Sequence, residues 1–268
     1  MDIGSLHKYI RVQKASHPNT VEKLVNHEIT KQLTQEGTVF IWRRGKEIHY
    51  MNGITADIKK VFFPDYQHNE GINKRATSSK DIGTRVHTQL YHIIECINKG
   101  KLDCNCKVKK NKHGRWNKFT EQALAEFRTL DFTPEHAEVI ILGEKALRCT
   151  RLDIIGTRWK GKDCQRSVCI SIKTGYAVGY DISKTGQKMK KPLHTLESTP
   201  KNHNQLQSII EISMMRDYGI EFDDYMIFYL GQAGTSKAKV EYLDDWARDE
   251  SIQRKIYQHF CHSVNSSE

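Results

Sequence analysis

Long hydrophobic runs are missing from this 268-residue chain. A helix that crosses a bilayer needs roughly 18 or more consecutive apolar residues, so no membrane span is expected. The opening MDIGSLHKYIRVQ lacks the apolar core of a secretion signal. The expectation is an intracellular protein of cytoplasm or nucleus that is not secreted. Internal repeats and long low-complexity segments are also missing. Acidic residues are in short supply, 32 against 42 lysines and arginines, for a net charge of +10 and a pI near 9.2. That balance favours a polyanionic partner, most simply nucleic acid. An anionic membrane surface is the rival, but no basic amphipathic helix stands out. A merely basic protein is the plain alternative.

What is present is enough for a sizeable core: 38% of residues are hydrophobic, which suits one domain or one domain with an extension. Seven cysteines without a secretion signal point to reduced thiols. The most informative stretch is RLDIIGTRWKGKDCQRSVCISIKTGY, residues 151–176. LDIIG and VCISIK read as strands. The charged TRWKGKDCQRS between them, with Gly161, reads as a hairpin connection. Asp153 interrupts the first run and Lys173 ends the second, so paired strands bring them to one end of a sheet. A carboxylate beside a lysine, with Ser171 two residues before it, suits a hard cation plus a charge for an oxyanion. Each residue alone also reads as ordinary solvated surface.

An Asp, a hairpin and an x-x-Lys triplet, here Ser171-Ile172-Lys173, resemble the core of the PD-(D/E)XK nuclease superfamily. The resemblance implies that Asp153 and the first residue of the triplet bind Mg²⁺. It also implies that Ile172 lends its backbone carbonyl and that Lys173 polarises water or stabilises the phosphorane. Ser171 stands where the family has an acid, and a serine brings no charge. Some restriction endonucleases with Ser-x-Lys take a glutamate from the following helix. Glu211 is the candidate here, with Glu138 as the competing donor and an ordinary exposed helix residue as the plain alternative for Glu211.

Other segments fit in order. VEKLVNHEITKQLTQ (21–35) has a rough helical stripe through Val21, Leu24, Val25, Ile29 and Leu33, so residues 1–37 are expected to be a helical extension. TVFIW (38–42) and EIHYM (47–51) read as a hairpin, and ITADIKKVFF (54–63) as a helix. Residues 64–80 read as loop or short helices, with Arg75 and Lys80 as candidate nucleic-acid contacts. In DIGTRVHTQLYHIIECI, Val86, Leu90, Ile93, Ile94 and Ile97 have helical spacing. Gly83, Thr84 and His87 make a G-T-x-x-H pattern similar to the RecB-like helix whose histidine faces the metal. A histidine with carboxylates admits Mn²⁺ as well as Mg²⁺. Residues 101–119 are strongly basic, and Lys107, Lys109, Lys110, Lys112 and Arg115, with Trp116 interleaved, suit phosphate contact and base stacking.

Cys104, Cys106 and His113 lack a clear fourth zinc ligand, so no structural zinc is expected. Some nucleases of the RecB-like kind that this chain resembles hold an iron–sulfur cluster with three cysteines close together after the core; the C-terminal part here offers only Cys261, so no cluster is expected. TEQALAEFRTL (120–130) reads as a helix with Thr120 as N-cap. Glu138, just before VIIL, is similar to an extra acid of RecB-like sites, and an exposed strand-edge residue on the plain alternative. Lys184, Lys188, Lys190 and Lys191 form a second basic loop. Pro192, Leu193, Leu196, Thr199, Asn202 and Gln205-Leu206 resemble a viral and phage RecB-like signature. It implies a site glutamine at Gln205, with Gln207 as the other register. EFDDYMIFYLG (221–231) reads as a strand and residues 243–260 as a closing helix.

The fold class expected is α/β, a mixed central β-sheet flanked by helices. Residues 38–235 form the nuclease-like core, and residues 236–268 hold a C-terminal helix packed on it. The resemblance, to the RecB-like and lambda-exonuclease-like branch found in viruses and phages, implies a Mg²⁺-dependent deoxyribonuclease, exonuclease or endonuclease, with DNA as partner and no membrane. The open alternative is a nuclease-like fold that binds nucleic acid without cutting it.

Overall fold

The computed structural model describes residues 28–34, 37–44, 46–64, 73–100, 116–160, 164–174, 181, 186–231 and 238–266. Alternating side chains build its central sheet. In β6 (Cys164–Thr174), Val168, Ile170 and Ile172 point to one core, while Cys169 points to the other. In β7 (Asp224–Leu230), Met226, Phe228 and Leu230 share the first core, while Tyr225, Ile227 and Tyr229 share the second. A strand with apolar residues on both faces must be covered on both, and helices do so here.

Five strands run in the order β4 (Phe132–Gly143), β5 (Arg148–Lys160), β6, β7 and β8 (Lys239–Tyr242). Only β6 and β7 pair in parallel; the other neighbours are antiparallel. The expected α/β class with a mixed, helix-flanked sheet is thus present. One face carries α2 (Asn73–Asn98) and α3 (Lys118–Thr129), through Val86, Leu90, Ile93, Leu124 and Phe127. The other carries α1 (Ile54–Phe62), α4 (Pro200–Asp217) and, beyond the short α5 (Asp245–Arg248), α6 (Glu250–Asn265). Ile58, Leu206, Ile210, Ile256 and Phe260 close that second core. The C-terminal helix α6 packs on α1 and α4. No described helix is long and apolar enough to cross a membrane.

A second sheet, β1 (Glu28–Thr34), β2 (Gly37–Arg44) and β3 (Glu47–Asn52), joins the main one through Phe40, Met51, Leu142 and Cys149. This corrects the helical expectation for residues 28–33. Ile29 and Leu33 fit a helix by spacing, but pairing with β2, including Glu28 opposite Arg43, makes the segment a strand. The rest of the expected N-terminal helix lies outside the described residues. The hairpin and the helix after it stand where expected.

Three further corrections are local. Most of TRWKGKDCQRS is strand rather than turn, because Thr157, Arg158, Trp159 and Lys160 pair with Ser167, Arg166, Gln165 and Cys164. Thr120 is not an N-cap: Asn117 caps α3, accepting from Phe119 N–H at 2.9 Å, while Thr120 is buried and donates to Gln89 at 2.7 Å. Trp116 is 5% exposed and belongs to the α2–α3 core. Its large apolar area outweighs the charge of its neighbours in sequence, so it offers no stacking surface.

Candidate metal centre

Asp153 lies on β5 where that strand begins to pair with β6. One carboxylate oxygen, Oδ2, accepts from Ile172 N–H at 2.7 Å and faces the Ser171 hydroxyl at 3.3 Å. The other, Oδ1, lies 3.4 Å from His87 Nδ1. Glu138 repeats the division: Oε2 pairs with Arg151, and Oε1 lies 2.9 Å from the same His87 nitrogen. Each carboxylate thus has one oxygen anchored by the protein and one turned inward. The three inward atoms lie within 4.8 Å of one another.

Local structure explains the convergence. Glu138 has φ +59° inside a strand, between the pairs Ala137–Ile154 and Val139–Leu152. A non-glycine residue in the left-handed region costs on the order of 1–3 kcal/mol and gathers at functional sites. His87 arrives from α2, one turn after Gly83. A Cβ on Gly83 would come within 2.9 Å of Thr174 Oγ1, so glycine lets α2 lie against the end of β6.

The side chains of His87, Glu138 and Asp153 are 19%, 14% and 13% exposed. Burial pulls the His87 pKa down, but Asp153 and Glu138 outweigh it and hold the imidazole above its ordinary 6.5. The donor set fits a small divalent cation. Cis ligand atoms around Mg²⁺ with bonds of about 2.1 Å stand about 3.0 Å apart, close to the 2.9 and 3.4 Å from His87 Nδ1 to the two carboxylate oxygens. One imidazole and two carboxylates suit Mg²⁺ or Mn²⁺. The same geometry also serves as an ion triad, with protonated His87 between two carboxylates.

Beside this cluster, Lys173 Nζ donates to Gln207 Oε1 at 3.0 Å. Gln207 Nε2 donates to Glu211 Oε1 at 2.8 Å, and Thr150 donates to the same oxygen at 3.1 Å. Tyr225 donates to Glu211 Oε2. Glu211 is 1% exposed, so it is no ordinary surface residue. Burial raises its pKa, although Lys173, Tyr225 and Gln207 oppose that. Its oxygens are engaged in this network rather than in the His87 cluster. Cys169 and Tyr225, buried beside it, are raised by burial as well.

Of the expected site residues, His87, Glu138, Asp153, Ser171 and Lys173 gather at one end of the sheet. Gln205 does not join them. It is wholly buried, and its Oε1 accepts from Asp244 N–H at 3.0 Å, so Gln207 is the glutamine that reaches the lysine. The backbone N–H of Ile172 holds Asp153. Sequence reasoning misses Arg151, Thr150 and Tyr225. Arg151 and Thr150 flank Asp153 closely in sequence, which is the one signal that could have found them.

Among the expected nucleic-acid contacts, Lys188 is exposed and 3.6 Å from Glu197. Lys190 Nζ donates to the Lys60 carbonyl at 3.0 Å. Arg75 and Lys80 lie on the first half of α2. Lys107, Lys109, Lys110, Lys112 and Arg115, like Cys104, Cys106, His113 and Lys184, lie outside the described residues.

No family model matches the chain, and no curated protein matches it.

Proposed function

We propose that the protein is a metal-dependent DNA nuclease that hydrolyses phosphodiester bonds. The observation that carries this is the convergence of His87, Glu138 and Asp153 from three separate elements, each carboxylate turning one oxygen inward to His87 Nδ1. His87, Glu138 and Asp153 would hold Mg²⁺ or Mn²⁺. Bound there, the cation supplies an acidified water and offsets charge on the scissile phosphate. Ser171 and the Ile172 N–H fix the rotamer of Asp153. Arg151 fixes Glu138 in the manner of the outer partners that orient metal ligands. Lys173, steadied by Gln207, supplies the positive charge for the phosphorane oxygens. The net charge of +10 supports a polyanionic substrate, and the basic segment 101–119 is the expected strand contact. The order of motifs in the sequence, similar to RecB-like nucleases, points the same way.

A second reading, binding without cleavage, is favoured by one specific feature. Ser171 brings no charge, and Glu211, the acid that could replace it, is committed to Thr150, Gln207 and Tyr225. Incubation of linear, circular and flap DNA with Mg²⁺, Mn²⁺ or EDTA separates the two. Metal-dependent cleavage supports the nuclease, and loss of linear but never circular DNA makes it an exonuclease. Retained binding with no cleavage under any metal leaves the binding protein.

A further inference from the structure

At the opposite end of the sheet the apolar face stops and a polar row begins. Arg158 on β5 and Arg166 on β6 are direct cross-strand partners. Like charges placed opposite each other in a sheet are destabilising. Asp224 on β7 and Tyr242 on β8 continue the row, next to Met226, Val168 and the core they belong to. Arg248, from α5, closes the side. Among the described residues, these five line a pocket of ≈ 400 Å³.

The charges in it do not cancel. Arg166 meets Asp224 through one contact of 3.5 Å, at the outer limit of a useful hydrogen bond. Arg248 pairs with Asp245 at 2.8 Å, but both are exposed and the pair lies within one helical turn, where solvent screening leaves little energy. Arg158 spends Nε on the Leu130 carbonyl at 3.1 Å and Nη1 on the Tyr242 hydroxyl at 2.7 Å. That phenol accepts from Arg158 and keeps its own proton to give. Among the described residues, three guanidiniums therefore face one lining carboxylate.

We propose that Arg158, Arg166, Arg248 and Tyr242 form an anion pocket that takes a phosphate group. Guanidinium forks match phosphate oxygens two at a time, and an anion between Arg158 and Arg166 relieves their mutual repulsion. The pocket is separate from the His87 centre. Along β6, Arg166 precedes Ser171 by five residues, about 17 Å at the usual rise of a strand. It stands whether or not the protein cuts DNA. The phosphate could belong to a free phosphoanion or to a nucleic-acid backbone.

The test uses the full chain in EDTA, so that cleavage plays no part. Thermal unfolding is followed with inorganic phosphate against sodium chloride of equal ionic strength. Wild type is compared with Arg248→Gln and with Arg166→Gln/Arg248→Gln. The Arg248 side chain is exposed at the end of a four-residue helix, so its single variant keeps the test valid if the double variant does not fold. A second arm measures the salt dependence of binding to oligothymidylate without terminal phosphates. The expected result is a phosphate-specific rise in Tm, with apparent affinity reduced about tenfold in the variants. If the ligand is a backbone, the log–log salt slope also falls by about 0.7 for each single-strand phosphate that the variant no longer neutralises. A variant-sensitive phosphate shift alone assigns the pocket to a free anion, and a variant-sensitive oligothymidylate slope assigns it to a strand. Identical behaviour of wild type and variants in both arms overturns the proposal.

Discussion

Lys173 donates from Nζ to Oε1 of Gln207 at 3.0 Å, from the end of β6 to the second turn of α4. A flexible lysine is thereby held in one place, as its proposed role in stabilising a transition state requires. Replacing Gln207 with Leu should lower the rate of cleavage by about 10- to 100-fold, the range for a residue that orients a reacting group, with DNA affinity nearly unchanged. Gln205→Leu should behave oppositely. It leaves Asp244 N–H without its acceptor, at a cost of about 1–3 kcal/mol of stability, and the catalytic rate stays. Single-turnover kinetics and thermal unfolding of both variants decide between the two glutamines.

Asp153→Ala and Lys173→Ala should each abolish cleavage while the protein remains folded and bound to DNA. Both residues are partly exposed at the end of the sheet rather than in either core. A gel assay of cleavage beside a filter-binding assay checks this, and wild-type rates in either variant would remove both residues from the reaction.

Glu138 and Glu211 compete for the role of the acid that Ser171 does not supply. Only Glu138 turns an oxygen toward His87 and Asp153. Glu138→Gln should therefore cost more than the roughly 10- to 100-fold loss expected of a supporting residue, and Glu211→Gln should stay within that range. Titration calorimetry with Mn²⁺ should show weakened metal binding in the first variant alone.

His87 makes the cluster sensitive to pH. Its folded pKa stands above 6.5, because Asp153 and Glu138 outweigh burial. A raised histidine contributes stability that is fully present below the unfolded value and is lost as pH rises through the folded one. Without metal, wild type should thus lose stability as pH rises above 6.5 and through the raised folded pKa of His87, relative to His87→Gln. Metal binding should run the other way, tightening as the proton leaves Nδ1. Denaturant melts in EDTA and Mn²⁺ titrations across this range measure both.

The parts of the site that can be read in the sequence are those set by nearby residues. The β5–β6 pair, the apolar stripe of α2 beneath His87, and the placing of Ser171 and Lys173 on one face all follow from strand and helix periods. Glu138 is a candidate only by its place before VIIL; its left-handed backbone and its approach to His87 arise from pairing distant in sequence. The register of α4 is ambiguous for a different reason. Asn204, Gln205, Ser208, Glu211 and Ser213 are all buried along with its apolar residues, so no polar stripe marks which glutamine faces the lysine. Trp116 and the strand at residues 28–34 depart from expectation because burial and pairing with β2 override local composition and spacing.

The parallel pairing of β6 with β7 sets an order for the chain's birth. Hairpins close early, whereas a parallel pair waits for its whole crossover. Synthesis proceeds from the N-terminus, and domains complete themselves only when their last elements are out. A nascent chain stopped before Asp224 already carries His87, Glu138, Asp153, Lys173 and Gln207. It still lacks β7, the strand that holds β6 from its other side, and Tyr225, which closes over Glu211. The sheet on which α4 lies then lacks two of its five strands, β7 and β8. Ribosome-bound chains ending just before and just after β7 should differ sharply in resistance to protease, with protection beginning once that strand has emerged.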